Sequence, residues 1–191
     1  MKRLALALAP ALLAASPALA HLDPVAHGSF AAGFTHPVFG LDHILAMVAV
    51  GLWAVTLGGR ALVALPAAFV GAMTLGFALA LVGLPLPMVE PMILASVLVL
   101  GVLVALAVRL PLAAGAAVVG ALALFHGHAH GAEMGGATAL AYLGGFALAT
   151  ALLHGAGVLA GWAMARFGGA ILARASGALV AGAGAVLVLA G

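Results

Sequence analysis

Six long apolar stretches, separated by short turns, constrain this chain more than any other feature of its sequence. Each is close to the ~20 residues that an α-helix needs to cross about 30 Å of hydrocarbon. The stretches lack the alternation of a β-barrel wall, and glycine, proline or arginine separates them. The sequence therefore predicts an all-α, polytopic membrane bundle with about six transmembrane helices. The predicted spans are residues 41–58, 61–83, 89–108, 112–130, 137–163 and 170–190.

Composition excludes several other classes of protein. The chain is 67% hydrophobic and only 5% charged, so it has no polar stretch for a soluble domain. Four arginines balance four acidic residues once the basic pair at the N-terminus is set aside, so we expect no nucleic-acid partner. The absence of cysteine excludes disulfides, Fe–S clusters and thiolate metal sites. No Walker A motif is present, so we expect no ATP hydrolysis by this chain.

The N-terminus has the features of a secretory signal peptide. Lys2 and Arg3 form a positive n-region, an apolar h-region follows, and residues 18–20 form an A-x-A cleavage site. An uncleaved first transmembrane helix is the alternative, but the apolar run is short for a span and ends at a proline. We therefore expect residues 1–20 to be a signal peptide and residues 21–191 to form a single transmembrane domain.

The arginines predict how the chain lies in the membrane. If the signal peptide is cleaved, the mature N-terminus lies outside and every mature arginine falls in a cytoplasmic turn, as the positive-inside rule requires. These residues are Arg60, Arg109, Arg166 and Arg174. In this orientation both histidine-rich stretches lie on the outer side. The sequence therefore predicts a multi-pass protein whose polar residues converge on one side of the membrane.

The second histidine-rich stretch has the spacing of a metal site on a helix. His126, His130 and Glu133 stand at i, i+4 and i+7, so they share one helical face. Imidazole and carboxylate groups bind divalent first-row metals. Loop histidines at the membrane surface are the alternative. A charged group in a bilayer span costs on the order of 2.5–3.5 kcal/mol, which favours a functional role for these side chains.

The first histidine-rich stretch contains helix-breaking residues. Pro37 and Gly40 oppose a straight helix, so we expect His36 on a bend or short re-entrant turn. Asp42 and His43 would then begin the first span. Irregular backbone is tolerated at membrane depth where it lines a cavity or is buried in protein. The carboxylate beside an imidazole either ligates metal, orients the ring or caps the helix, and these roles are compatible.

Other polar side chains are less decisive. Glu90 begins the third span before a proline, where the helix dipole favours its charge. Capping alone would explain it, but it lies on the same predicted outer side, so we include it among the metal-binding residues. Five further side chains stay open between ligation and ordinary packing or solvation: His21, His27, His128, His154 and Met47.

Two segments resemble the signatures of the HupE/UreJ family. They are residues 36–54, HPVFGLDHILAMVAVGLWA, and residues 125–133, FHGHAHGAE. The resemblance extends over the whole chain and includes the signal peptide typical of the hydrogenase-linked branch. Members of the family are bacterial inner-membrane proteins associated with hydrogenase or urease gene clusters and regarded as nickel or cobalt permeases. The resemblance therefore implies a permease domain over residues 21–191, with a periplasmic N-terminus and neither catalytic residues nor a cofactor of its own.

We therefore expect a secondary permease, or a facilitator of diffusion, that supplies Ni²⁺ or Co²⁺ to hydrogenase or urease. An integral-membrane metalloenzyme, a b-type haem protein and a non-transporting maturation accessory are the alternatives. The expected partners are the metal ion as substrate and the lipid bilayer. The sequence leaves energy coupling and a homo-oligomer open. The predicted metal ligands are His36, Asp42, His43, Glu90, His126, His130 and Glu133.

Overall fold

The computed structural model describes residues 28–190, and every regular element in this part of the chain is a helix. The predicted signal peptide, with His21 and His27, lies outside the described residues. The predicted all-α membrane bundle is confirmed. The helices are α1 (Ser29–Phe39), α2 (Leu41–Leu57), α3 (Ala61–Leu81), α4 (Val89–Ala105), α5 (Leu112–Glu133), α6 (Ala139–Phe167) and α7 (Gly169–Ala190).

Each predicted span coincides with a helix, but the helices differ in length. Within the described residues, α3, α5, α6 and α7 are long and apolar enough to cross a membrane alone. The bent pair α1 and α2 counts as a fifth span if both helices are taken together. With 17 residues, α4 is about 26 Å long, slightly less than the hydrocarbon thickness. By length and composition the structure thus has four or five candidate spans, where the sequence predicted about six.

The segment before the first span is a helix, where the sequence predicted only a bend or short turn. Pro37 lies inside α1 and cannot donate the backbone hydrogen bond to the Gly33 carbonyl, yet the helix continues to Phe39. The chain breaks at Gly40, whose backbone is extended with φ −84° and ψ 115°. There α1 and α2 meet at an angle of 79°. The predicted bend is therefore present, and His36 lies in the last helical turn before it.

Helix α2 forms the centre of the bundle. Its buried face packs on α6 and on α4, while α3 packs along α5 and α4 along α7. Gly51 of α2 and Gly157 of α6 allow a close crossing, because a Cβ atom on either residue would collide with the backbone of the other helix. Met47 is fully buried in this core, which supports ordinary packing for its side chain.

The arginines lie near the ends of the helices opposite the first histidine-rich stretch. Arg174 donates from Nε to the Ala105 carbonyl at 2.9 Å, at the C-terminal end of α4. The Trp53 indole near the end of α2 donates to the Val108 carbonyl at 2.9 Å, so the loop after α4 packs on the same end of the bundle. Arginine and histidine thus concentrate at different ends.

Candidate metal site

Three imidazoles from three helices meet at one end of the bundle. His36 lies in the last turn of α1, His43 in the first turn of α2 and His130 in the last turn of α5. One ring nitrogen of each lies within 4.8 Å of the other two. Their exposed fractions are 7%, 7% and 0%, so the cluster is buried. We call these three residues the histidine cluster.

Asp42 orients the ring of His43. The His43 Nδ1–H group donates to the Asp42 carboxylate at 2.8 Å, so the lone pair of His43 is on Nε2. That atom faces His130, whose Nε2–H group donates to it at 2.8 Å. In the other neutral tautomer of His130, with its proton on Nδ1, two nitrogen lone pairs would face each other. Such a carboxylate–imidazole pair is typical of metal sites, in which the second partner sets the tautomer of the ligand.

Tyr142 and Glu133 surround His36. The His36 Nδ1–H group can donate to the Tyr142 oxygen at 3.2 Å, which leaves the Nε2 lone pair for a cation. The Glu133 carboxylate lies 4.0 Å from that Nε2 atom, and its side chain is 45% exposed. Glu133 therefore lies at the rim of the histidine cluster, where it can attract a cation from solvent.

The separations within the histidine cluster are suitable for one transition-metal ion. Two nitrogen ligands at about 2.1 Å from a metal ion in tetrahedral or octahedral geometry lie about 3.0–3.4 Å apart. The distance between His43 Nε2 and His130 Nε2 is 2.8 Å, so a small outward movement would admit an ion. Imidazole ligands suit nickel, copper, zinc and iron better than calcium or magnesium.

The second histidine-rich stretch does not converge on one point. His130 is part of the histidine cluster and Glu133 lies at its rim, but His126 is one turn deeper and fully buried. His126 Nε2 lies 2.9 Å from the Ser96 hydroxyl of α4. Residues seven positions apart on a straight helix differ by about 10.5 Å in height, so His126 and Glu133 cannot ligate one ion from this helix.

Glu90 and His128 lie outside the histidine cluster. Glu90 is exposed and lines a groove between α4 and α7 that also includes Val188. A role for Glu90 in metal movement stays a prediction. The half-buried His128 donates from Nε2–H to the Leu84 carbonyl at 2.8 Å and holds the loop between α3 and α4.

The sequence reasoning missed two side chains of the site. Tyr142 carried no recognisable signal, because its approach to His36 depends on the close packing of α1 on α6 at Gly33. Ser96 did carry a signal: it is the only hydroxyl side chain in the predicted span 89–108. A lone hydroxyl in an apolar helix commonly marks a contact between helices.

The fold and the site define a polytopic helical membrane protein with a buried histidine cluster that could hold a divalent transition metal. The family model described as "HupE / UreJ protein" matches residues 8–187. The chain is 50% identical over 182 residues to "Protein HupE" of Rhizobium leguminosarum bv. viciae, with 94% of each chain covered. No solved structure matches the chain. The chain therefore belongs to the HupE/UreJ family, as its two signatures predicted.

Proposed function

We propose that this protein carries Ni²⁺, or Co²⁺, inward across the bacterial inner membrane and thereby supplies hydrogenase or urease with metal. It acts as a secondary permease or facilitates diffusion, and it is a transporter rather than an enzyme. The observation that carries the proposal is the histidine cluster of His36, His43 and His130, buried at one end of a bundle of apolar helices. Membership of the HupE/UreJ family supports the assignment to hydrogenase or urease.

The arrangement of ligands suits transport better than permanent storage. A transported ion must bind strongly enough to lose water, yet weakly enough to leave. The ion first meets the half-exposed carboxylate of Glu133 and then exchanges water for the imidazoles of the histidine cluster. Asp42 keeps the His43 lone pair directed at the ion. Glu90 lies apart from the histidine cluster, and we do not assign it as a ligand in that cluster.

Uptake by purified protein in proteoliposomes tests this proposal. We expect Ni²⁺ or Co²⁺ to enter vesicles that contain the unmodified protein. Uptake should fall strongly in His36→Ala, Asp42→Ala and His130→Ala, and less in Glu133→Ala. His128→Ala is the matched control, because this histidine lies outside the histidine cluster and hydrogen-bonds a loop carbonyl. Normal insertion of each variant is checked by size-exclusion chromatography in detergent.

The same preparation separates the alternative functions. A metalloenzyme would retain stoichiometric metal through dialysis and show no flux, and a haem protein would absorb visible light. A maturation accessory would show neither flux nor, when its gene is deleted, any change in cellular nickel uptake. Full-rate transport by the histidine variants would overturn the site assignment.

Uptake should also depend on external pH. Neutral imidazole binds metal and imidazolium does not, and an imidazole ordinarily titrates near pH 6.5. Between pH 7.5 and 5.5 the neutral fraction of one such group falls about tenfold. We therefore expect initial uptake to fall as the external pH is lowered over this range. Equal rates at pH 7.5 and 5.5, measured at constant membrane potential, would contradict imidazole ligation.

A further inference from the structure

Two buried histidines lie deeper in the bundle than the histidine cluster. His126 is fully buried and His154 is 1% exposed. Neither ring nitrogen of His154 has a hydrogen-bond partner among the residues that the structure describes. The same is true of Nδ1 of His126. Buried polar atoms are nearly always paired in native proteins, so three unpaired nitrogens in one region require an explanation.

The contact with Ser96 leaves the lone pair of His126 on its unpaired nitrogen. The Ser96 hydroxyl donates its one hydrogen to the Ile93 carbonyl at 2.6 Å. The oxygen can therefore only accept from His126 Nε2–H, at 2.9 Å. A neutral imidazole protonated at Nε2 carries its lone pair on Nδ1. A ligand atom is therefore available at Nδ1, within a ring whose centroid is 5.1 Å from that of His43.

His154 continues this series of rings toward the middle of the bundle. Phe146 packs on His130 with a centroid distance of 3.8 Å, so residue 146 marks the height of the histidine cluster along α6. His154 follows eight residues later, about 12 Å deeper. The Phe69 ring contacts both deeper imidazoles, at centroid distances of 5.5 Å to His126 and 4.9 Å to His154.

Packing alone does not account for His154. The close crossing of α2 and α6 depends on the glycines at positions 51 and 157 and on the backbone carbonyl of residue 154. Any residue at position 154 would supply that carbonyl, so the crossing does not require an imidazole. The imidazole makes no hydrogen bond that would hold two helices together in the described part of the chain. An apolar side chain of similar size would avoid burying two polar nitrogens. The His154 imidazole therefore has the chemistry of a neutral metal ligand.

We propose that His126 and His154 form an inner station for the transported metal ion, with the Phe69 ring in contact with both imidazoles. The ion passes from the histidine cluster to Nδ1 of His126 and then to a ring nitrogen of His154. This inference rests on the proposed function, because it assigns the next ligands to the same cargo. Placing ligands at successive depths divides one long crossing into shorter transfers between binding sites.

The variant His154→Leu separates this role from a structural one. If His154 is a ligand, the variant should fold as stably as the unmodified protein or more so, and its histidine cluster should bind metal with unchanged affinity. Its Ni²⁺ uptake should fall at least about tenfold, as expected for loss of a metal ligand. A parallel loss of melting temperature and uptake would indicate a structural role and overturn the proposal. Unchanged uptake would also overturn it.

The absence of cysteine from the chain permits a direct spectroscopic test. In His154→Cys the only thiol lies at the inner station, so thiolate-to-metal charge-transfer absorption after addition of Co²⁺ reports an ion at that position. Leu152→Cys is the matched control, because this side chain is on the same helix and 56% exposed on the bundle surface. We expect the absorption in His154→Cys and none in Leu152→Cys. Its absence from both would overturn the inner station.

The order of the two ligands can be tested in the same protein. Adding His126→Leu to His154→Cys should slow the appearance of the charge-transfer absorption by about tenfold while leaving its final amplitude intact. An unchanged rate would remove His126 from the station. If the unmodified protein carries no metal but the absorption is seen, the site stands and the permease proposal fails. If the unmodified protein carries metal and the absorption is missing, the permease proposal stands and the inner station fails.

Discussion

The two histidine-rich stretches use different backbones to place polar side chains seven residues apart. His36 and His43 lie on either side of the break between α1 and α2, and their ring centroids are only 5.8 Å apart. His126 and Glu133 lie on the continuous helix α5 and contact different partners, Ser96 and His36. A straight helix separates such residues by about 10.5 Å along its axis. A broken helix therefore gathers ligands at one height, and a continuous helix distributes them over depth.

The break also positions the ring of His43. A Cβ atom on Gly40 would lie 2.8 Å from Nδ1 of His43 and 3.0 Å from Oδ1 of Asp42. Gly40 has φ −84°, which other residues adopt readily, so its importance lies in the space that it leaves. The bend of the chain and the orientation of the ligand are therefore linked at one residue. Substitutions at the break and on the continuous helix should therefore lower the affinity for Ni²⁺ by different amounts.

The largest difference should come from removing one imidazole from each stretch. His43→Ala removes a ligand at the break, and we expect the affinity for Ni²⁺ to fall at least about 100-fold. His126→Leu removes an imidazole one turn below the histidine cluster, and we expect less than about a threefold change in the affinity of the tightest site. Isothermal titration calorimetry of the purified proteins in detergent measures both. Equal losses would show that His126 binds the same ion as His43, and would contradict the separation of His126 from the histidine cluster.

The next largest effect should come from Asp42→Asn. The amide keeps the size of the side chain but removes the charge that holds His43 in one tautomer. Loss of such a partner typically lowers metal affinity 10–100-fold, and we expect a loss of about that size. Thr35→Val is a suitable control, because its hydroxyl donates only to carbonyls within α1. If Asp42→Asn binds Ni²⁺ normally, the carboxylate is a favourable charge in the first turn of α2 and does not orient the ligand.

Much of the fold follows from the sequence because hydropathy determines where membrane helices form. Each predicted span overlaps one helix, and the pair Pro37 and Gly40 correctly placed a bend before the first span. Helix α1 was missed because a proline in the last turn costs one hydrogen bond but does not end a helix. The length of α4 was overestimated because the chain leaves the helix at Ala105, before a residue with positive φ at Ala107.

The candidate site was less predictable, because helical phase does not identify the neighbouring helix. The spacing of His126 and His130 predicted that both lie on one face of α5, and the structure shows both buried. The spacing could not show that α4 would present Ser96 to the deeper imidazole, or that α6 would present Tyr142 to His36. Glu90 begins α4, which packs along α7, so its side chain lies in a groove away from the histidine cluster. These contacts depend on how the helices pack.

A smaller effect should follow when the space at the break is filled. In Gly40→Ala the new methyl group must displace the Asp42–His43 pair by a few tenths of an ångström. We expect about a tenfold loss of Ni²⁺ affinity, near the lower limit for disturbing a ligand's partner. Gly71→Ala is the matched control, because its Cβ would meet no described atom within 4 Å. Equal Ni²⁺ affinities in the two variants would show that the break tolerates a side chain at position 40. The orientation of the His43 ring would then not depend on the space that Gly40 leaves.

The smallest effect should come from Glu133→Gln at the rim. Its carboxylate lies 4.0 Å from His36 Nε2 but is 45% exposed, so water and salt screen its charge. We expect the Ni²⁺ concentration for half-maximal uptake to rise about two- to fivefold at low ionic strength, and the difference to shrink at high salt. Proteoliposome uptake at two salt concentrations measures this. A loss of Ni²⁺ affinity as large as that of His43→Ala, and independent of salt, would place Glu133 among the metal ligands. The end of α5 would then supply ligands just as the break between α1 and α2 does.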